Sequence, residues 1–273
     1  MNEPFVKESK QLLLIEPWMD SNPLLTAGFT TKNGGHGKGH FESLNLGFHV
    51  NDILEDVISN RETVAGNLSF PLSCWTGAEQ THEVKVVKVT SKEKGMGSRD
   101  YSSSLKGTDG LYTEKSGILL TLCFADCVPL YFYSSSSRHI GVAHAGWKGT
   151  VNGIAAEMVE KWQAEGIHAD DIHAVIGPSI CGDCYVVDDR VIQFVEIRLE
   201  EMDKKPYNRI REGQYQLDLK KLNELILQKA GVPPAQIQVS RFCTSCNSDL
   251  FFSHRKDSGK TGRMMSFIGW KED

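Results

Sequence analysis

A chain of 273 residues can bury a sizeable core, as one large domain or two small ones, and 40% hydrophobic with 24% charged residues is an ordinary globular composition. A net charge of -5 gives no clustered basic footprint, which argues against a nucleic-acid partner, and no apolar run nears the roughly 20 residues of a membrane span. The polar start Met1-Asn2-Glu3-Pro4, followed by Lys7 and Lys10, is unlike a signal peptide, and an odd count of seven cysteines suits a reducing compartment, so the cytoplasm is the expected location.

Along the chain, the Gly-rich stretch from Lys32 to His40 reads as a loop. A helix follows over Asn51–Leu68, with Leu54, Val57, Ile58, Val64 and Leu68 on one face. Arg61 falls on that same apolar face, where a guanidinium needs either an anionic ligand or an internal carboxylate. Val84–Thr90 is a strand candidate, and Ser91–Gly107 a second loop. Further short strands rich in β-branched and aromatic residues are expected over Leu119–Phe124, Val128–Tyr133, Ile140–Ala143, Ala174–Gly177, Ile237–Phe242 and Met265–Ile268. The serines Ser134 to Ser137 suit a hairpin-like turn. Helices are expected over Thr150–Ala164, Asp189–Glu200 and Asp218–Ala230, the last ended by Gly231 and Pro233. Strands run together before helices intervene and no linker or repeat divides the chain, so one domain of the α+β class is expected.

Two apolar strands end at metal-competent residues: Asp126-Cys127 after the first, and His144 after Ile140–Ala143. A rigid sheet often positions chemistry at such ends. A lone buried cysteine or histidine is more often packing than chemistry. Here, however, Pro129 follows Cys127 closely, and the small residues Ala143, Ala145 and Gly146 leave room beside His144.

The segments Thr76-Gly77-Ala78-Glu79-Gln80-Thr81-His82, Ala125-Asp126-Cys127-Val128-Pro129 and Ala143-His144-Ala145-Gly146-Trp147-Lys148-Gly149 resemble the signature of the YlmD/YfiH family, also called the polyphenol oxidase or laccase-domain family. The resemblance extends to Ser43-Leu44-Asn45-Leu46-Gly47, Cys243-Thr244-Ser245-Cys246 and Phe252-Ser253-His254-Arg255, and so covers nearly the whole chain. It implies a single catalytic domain over residues 1–273, built as a layered αββα sandwich with mixed sheets. It also implies a metal held by His82, Cys127 and His144, and activity as a purine nucleoside phosphorylase on adenosine, inosine, guanosine and methylthioadenosine, with adenosine deaminase activity beside it. Lys148 stands where many relatives carry arginine, and offers a point charge rather than a bidentate fork.

Two imidazoles and a thiolate make a three-ligand zinc site with an open position, where bound water has its pKa lowered to about 7. Deamination at purine C6 also needs an acid/base carboxylate; Asp126 is the first candidate and Glu79 the second. Phosphorolysis needs an anion site. Without a P-loop or GxGxxG, the candidates are Lys148 at the glycine-rich entrance to the Thr150 helix, together with Arg61. Ser43, Asn45 and Arg255 are candidates for substrate contact. His₂Cys can also hold copper, but nine histidines without one His-x-His pair argue against multicopper oxidase chemistry.

The competing readings are a metal-free hydrolase with Cys127 as nucleophile and His144 as base, a copper-dependent polyphenol oxidase, and a non-catalytic metal-binding regulator. The pairs Cys181/Cys184 and Cys243/Cys246 lie about sixty residues apart, far beyond ribbon spacing, and read as buried or incidental thiols rather than one Cys₄ site. The sequence leaves the oligomeric state open.

Overall fold

The computed structural model describes residues 3–199 and 205–272. One six-stranded sheet runs in the order β1 (Phe5–Lys7), β2 (Leu12–Ile15), β3 (Leu25–Thr30), β15 (Met264–Trp270), β7 (Ile118–Phe124) and β4 (Trp75–Gly77). A second runs β14 (Ile237–Val239), β10 (Ile172–Ile176), β8 (Val128–Ser134), β9 (Ile140–Ala145), β6 (Gly110–Thr113) and β5 (Val86–Lys88). Each is mixed: β4 joins β7, β5 joins β6 and β14 joins β10 in parallel, while the other pairs are antiparallel. A small antiparallel sheet of β11 (Val186–Val187), β13 (Gln214–Leu217) and β12 (Tyr207–Arg211) lies outside them.

Side-chain alternation makes the layers. In β7, Ile118, Leu120, Leu122 and Phe124 point one way and meet Tyr131 of β8 and Ile140 and Val142 of β9, so the two large sheets pack face to face. The opposite face of the first sheet, with Leu119, Met265 and Phe267, receives Val64, Ala65 and Leu68 of helix α2 (Leu54–Leu68). The opposite face of the second sheet, with Val128, Leu130 and Phe132, receives helices α3 (Trp147–Asn152), α4 (Ile154–Ala164), α5 (Asp189–Leu199) and α6 (Leu219–Lys229). A short helix α1 (Glu16–Ser21) links β2 to β3. The αββα order is the one the sequence led us to expect.

The departures are local. The helix expected from Thr150 starts at Trp147 and breaks at Gly153, whose φ of +93° closes α3 with N–H bonds to Gly149 and Thr150 carbonyls. The helix expected from Asn51 starts at Leu54, because Asn51 is itself left-handed at φ +62°. The helix expected through Glu200 is seen to Leu199, and Glu200 lies outside the described residues. Strand β3 was not expected: Leu25, Ala27 and Phe29 do alternate with Thr26, Gly28 and Thr30, but six residues holding Ala and Gly make too weak an apolar pattern to stand out.

Candidate metal centre and substrate pocket

His144 lies on β9 in phase with Ile140 and Val142, so strand alternation turns its ring into the space between the sheets. The register sets Pro129 opposite His144 and Val128 opposite Ala145, which brings Cys127, just before β8, to the same end. His82 arrives on a turn in the left-handed conformation, φ +62°. That backbone is uncommon away from glycine and is held here by hydrogen bonds. The His82 and His144 rings meet edge to face at 4.7 Å, His82 Nε2 lies 4.0 Å from Cys127 Sγ, and one donor atom from each of the three residues falls within 4.8 Å of the others.

Asp109, which the sequence reading missed, holds this arrangement. Its fully buried carboxylate accepts from His144 Nδ1 at 2.8 Å, from the N–H groups of Thr81, His82 and Glu83 at 3.0 Å each, and from the Thr81 hydroxyl. Burial pushes the Asp109 pKa up, but His144 and the N–H groups of Glu83 and Thr81 outweigh this and hold it below its ordinary value. A carboxylate can only accept, so Nδ1 carries a proton and Nε2 is the atom turned away from Asp109 and available to an ion. The sole signal in the sequence was an aspartate opening the Gly110–Thr113 strand, which is too common to single out.

Gln80, in the same segment as His82, pins the end of β7: its amide donates to the Cys123 carbonyl at 2.8 Å and accepts from the Cys123 N–H at 2.7 Å. Gly146 completes the cradle. A Cβ there would stand 2.9 Å from His82 Cδ2 and 3.1 Å from Cys127 Sγ, so any side chain would intrude between those two residues. Two imidazoles, one thiolate and a glycine-made gap fit an ion of zinc's class with one position open. Burial opposes ionisation of both Cys127 and His144. Their mutual attraction and the Asp109 bond overcome it, lowering Cys127 to about 6 and raising His144 to about 9, so without an ion they form a thiolate–imidazolium pair.

These three residues sit in a cavity of about 410 Å³, a size that suits a nucleoside-sized ligand. Arg255, Arg263, Trp147, Tyr185, His49 and Asp126 also line it. Burial, with Arg263 and Arg61 nearby, lowers His49 to about 4, so that ring is neutral. Arg255 lies across the Tyr185 ring at 4.9 Å and donates to the Val186 carbonyl. Arg263, also missed from sequence, donates Nη1 hydrogens to the Thr261 and Gly262 carbonyls. Asp126 reaches the cavity, but its oxygens accept from Thr244 Oγ1 at 2.6 Å and from the Arg255 N–H at 2.7 Å, so it anchors the Arg255 loop.

Four expected substrate residues fall elsewhere. Arg61 does face inward, but its partners are backbone carbonyls: Nε and Nη2 donate to Leu46, Nη1 donates to Gly97 and Ser98, and Nη2 also meets Cys123 Sγ. All five N–H groups are engaged and the guanidinium covers the Phe48 ring at 3.9 Å, so nothing is left for a phosphate. Lys148 is exposed on α3, over Trp147, outside the cavity lining. Asn45 is fully buried and ties Gly47, Asp52 and the Arg263 N–H together, which makes it a support of the Arg263 wall. Ser43 bonds the Gly35 N–H and the Lys32 carbonyl and borders a different cavity. Glu79 turns away to Lys106. The two CxxC pairs, read as unconnected, converge: the four sulfurs lie within 4.8 Å of one another.

An αββα sandwich with a His₂Cys cluster between its sheets defines a distinct class of protein. The family described as "Multi-copper polyphenol oxidoreductase laccase" matches residues 26–271, and the chain belongs to that family. It is 51% identical over 273 residues to the purine nucleoside phosphorylase YlmD of Bacillus subtilis, covering 98% of each chain, and 50% identical to that of Geobacillus stearothermophilus over 90% of each. Among solved structures, the YlmD crystal structure from Geobacillus stearothermophilus superposes with a TM-score of 0.95 at 47% identity, covering 99% of this chain and 100% of that one. A Neisseria meningitidis protein at 27% identity keeps the fold at a TM-score of 0.79, over 99% of this chain and 100% of its own.

Proposed function

We propose that this chain is a metal-dependent purine nucleoside phosphorylase, acting on adenosine, inosine, guanosine and methylthioadenosine with phosphate, and that the same pocket deaminates adenosine. The observation that carries the reading is the 410 Å³ cavity in which His82, Cys127 and His144 face two arginines, Arg255 and Arg263. The names of the relatives point the same way. Arg255 and Arg263 are the cations placed to receive phosphate, with charge-assisted donors. They replace Arg61 and Lys148 in that role. The Trp147 and Tyr185 rings offer apolar faces to a purine. His82, Cys127 and His144 would hold the ion, and Asp109 keeps His144 in the ligating tautomer.

Zinc is the ion we propose; when bound it supplies Lewis-acid polarisation of an oxygen at its open position. The same three ligands could take copper, which the family description carries. Asp126 is the one carboxylate among the described lining residues and therefore the proposed acid/base of deamination, each oxygen keeping a second lone pair beyond its bond to Thr244 or Arg255. We read residues 1–273 as one catalytic domain, since the cavity wall draws on residues from His49 to Arg263. Seven free cysteines support a reducing, cytoplasmic setting, and no helix among the described residues is long and apolar enough to cross a membrane.

The thiolate–imidazolium pair supports one rival, a metal-free cysteine hydrolase, with Asp109 as the orienting carboxylate. One assay separates them. Purified protein incubated with each nucleoside should release free base only when phosphate is present, and a chelator should stop it. Base release without phosphate, undiminished by chelation, would favour the hydrolase.

A further inference from the structure

The strongest feature outside the pocket is the meeting of Cys181-Gly182-Asp183-Cys184 with Cys243-Thr244-Ser245-Cys246. Each pair folds into a tight turn. Cys184 N–H donates to the Cys181 carbonyl, and Cys246 N–H donates to Cys243 Sγ at 3.4 Å. The turns interlock: Cys181 N–H donates to Cys243 Sγ at 3.2 Å, and Thr244 N–H donates to the Ser179 carbonyl at 3.1 Å. Cys184 Sγ and Cys246 Sγ stand 3.4 Å apart, and all four sulfurs lie within 4.8 Å of one another. Tetrahedral zinc with Zn–S bonds of about 2.3 Å sets its sulfurs about 3.8 Å apart, so the spacing matches with little adjustment. All four thiols are free. Backbone N–H groups aimed at sulfur stabilise the thiolate form that a metal requires.

A tetrathiolate zinc site carries a net charge of about -2 and gains from a nearby cation. Lys220 provides one. It is 7% exposed, its ammonium donates to the Ser240 and Phe242 carbonyls at 2.8 and 3.0 Å, and Cys243 and Cys181 lie within its electrostatic reach.

We propose that Cys181, Cys184, Cys243 and Cys246 bind a second, structural zinc ion that clips together two walls of the substrate pocket. One turn leads directly into Tyr185 and Val186. The other carries Thr244, which donates to Asp126, and continues toward Arg255, which donates to Val186. Four protein ligands close the coordination sphere, so this ion holds structure and leaves no position for substrate.

Metal counting on the full chain, purified without chelator under reducing conditions, tests the proposal. Two zinc ions per chain are expected, falling to one in Cys127→Ala and to one in Cys184→Ser/Cys246→Ser. Should the double variant fail to fold, Cys127→Ala loaded with cobalt decides alone: it should keep the intense thiolate-to-cobalt absorption of a tetrathiolate site. One ion in the wild type with none in Cys127→Ala would overturn the proposal. So would two disulfides among these cysteines in the fresh protein, and an iron–thiolate spectrum would overturn the choice of zinc.

Discussion

Asp109 joins His144 to the turn that carries His82, so it positions two of the three proposed ligands from outside the His₂Cys set. Asp109→Asn cannot accept every bond the carboxylate does, and should lower metal affinity about 10–100-fold. Competition against a chelator of known affinity measures this, and unchanged affinity would contradict the assignment. Arg61 makes the opposite case, a residue whose sequence context suggested chemistry and whose contacts are structural. Arg61→Lys keeps the charge but cannot reach all three carbonyls, so it should cost about 2–4 kcal/mol of stability in urea unfolding. The phosphate dependence of its folded fraction should not change; a raised phosphate KM at wild-type stability would restore Arg61 to the pocket. The two residues also show what a sequence can hide. Cys127 and His144 drew attention because they follow apolar strands, and His82 joined them only through the resemblance of its motif to the family signature. Inwardness was legible for Arg61, but the identity of its partners was not, because backbone carbonyls leave no mark in a sequence. Asp109 and Arg263 were invisible for a related reason: their roles depend on segments far away in the chain.

At the scale of elements, the junction from β9 into α3 is built on glycine. Gly146→Ala should leave secondary structure intact by circular dichroism but abolish stoichiometric metal binding, since its Cβ would press on His82 and Cys127. Retention of a full equivalent would show that the cradle has slack. A second joint ties the start of β9 to the end of α4. Glu165 accepts from Lys88 of β5 at 2.6 Å, Tyr112 of β6 at 2.6 Å and His139 at 2.9 Å. Burial works against its charge, but these bonds draw its carboxyl down from 4.5 to about 2. A depressed acid stabilises the fold above its unfolded value and loses that contribution as pH falls through the folded one. The stability difference between wild type and Glu165→Gln should therefore be full at neutral pH and shrink as pH falls from about 4.5 toward 2. A difference constant over that range would contradict the joint. Elements with long apolar runs, such as β7 and β8, could be read in advance. The edge strands β1 and β4 and the break at Gly153 could not, since pairing partners and a single left-handed residue decide them.

Across the whole molecule, two sheets bury a common core, and His144 of β9, Cys127 just before β8 and the turn carrying His82 gather at one opening. Helices close the outer faces and loops supply the arginine wall. The layer order was open to prediction from motif resemblance and strand density; the pocket was not, because it is assembled from segments between His49 and Arg263 that only the fold brings together. The account stands on the claim that the His₂Cys cluster and the cavity above it form one active site. The most direct test is phosphate-dependent release of purine base by wild type and by Cys127→Ala, compared at equal folded concentration. The account predicts release by the wild type and at least a hundredfold loss in the variant (about 2.7 kcal/mol). Base release at the wild-type rate from a Cys127→Ala protein shown to lack the His₂Cys ion would contradict it.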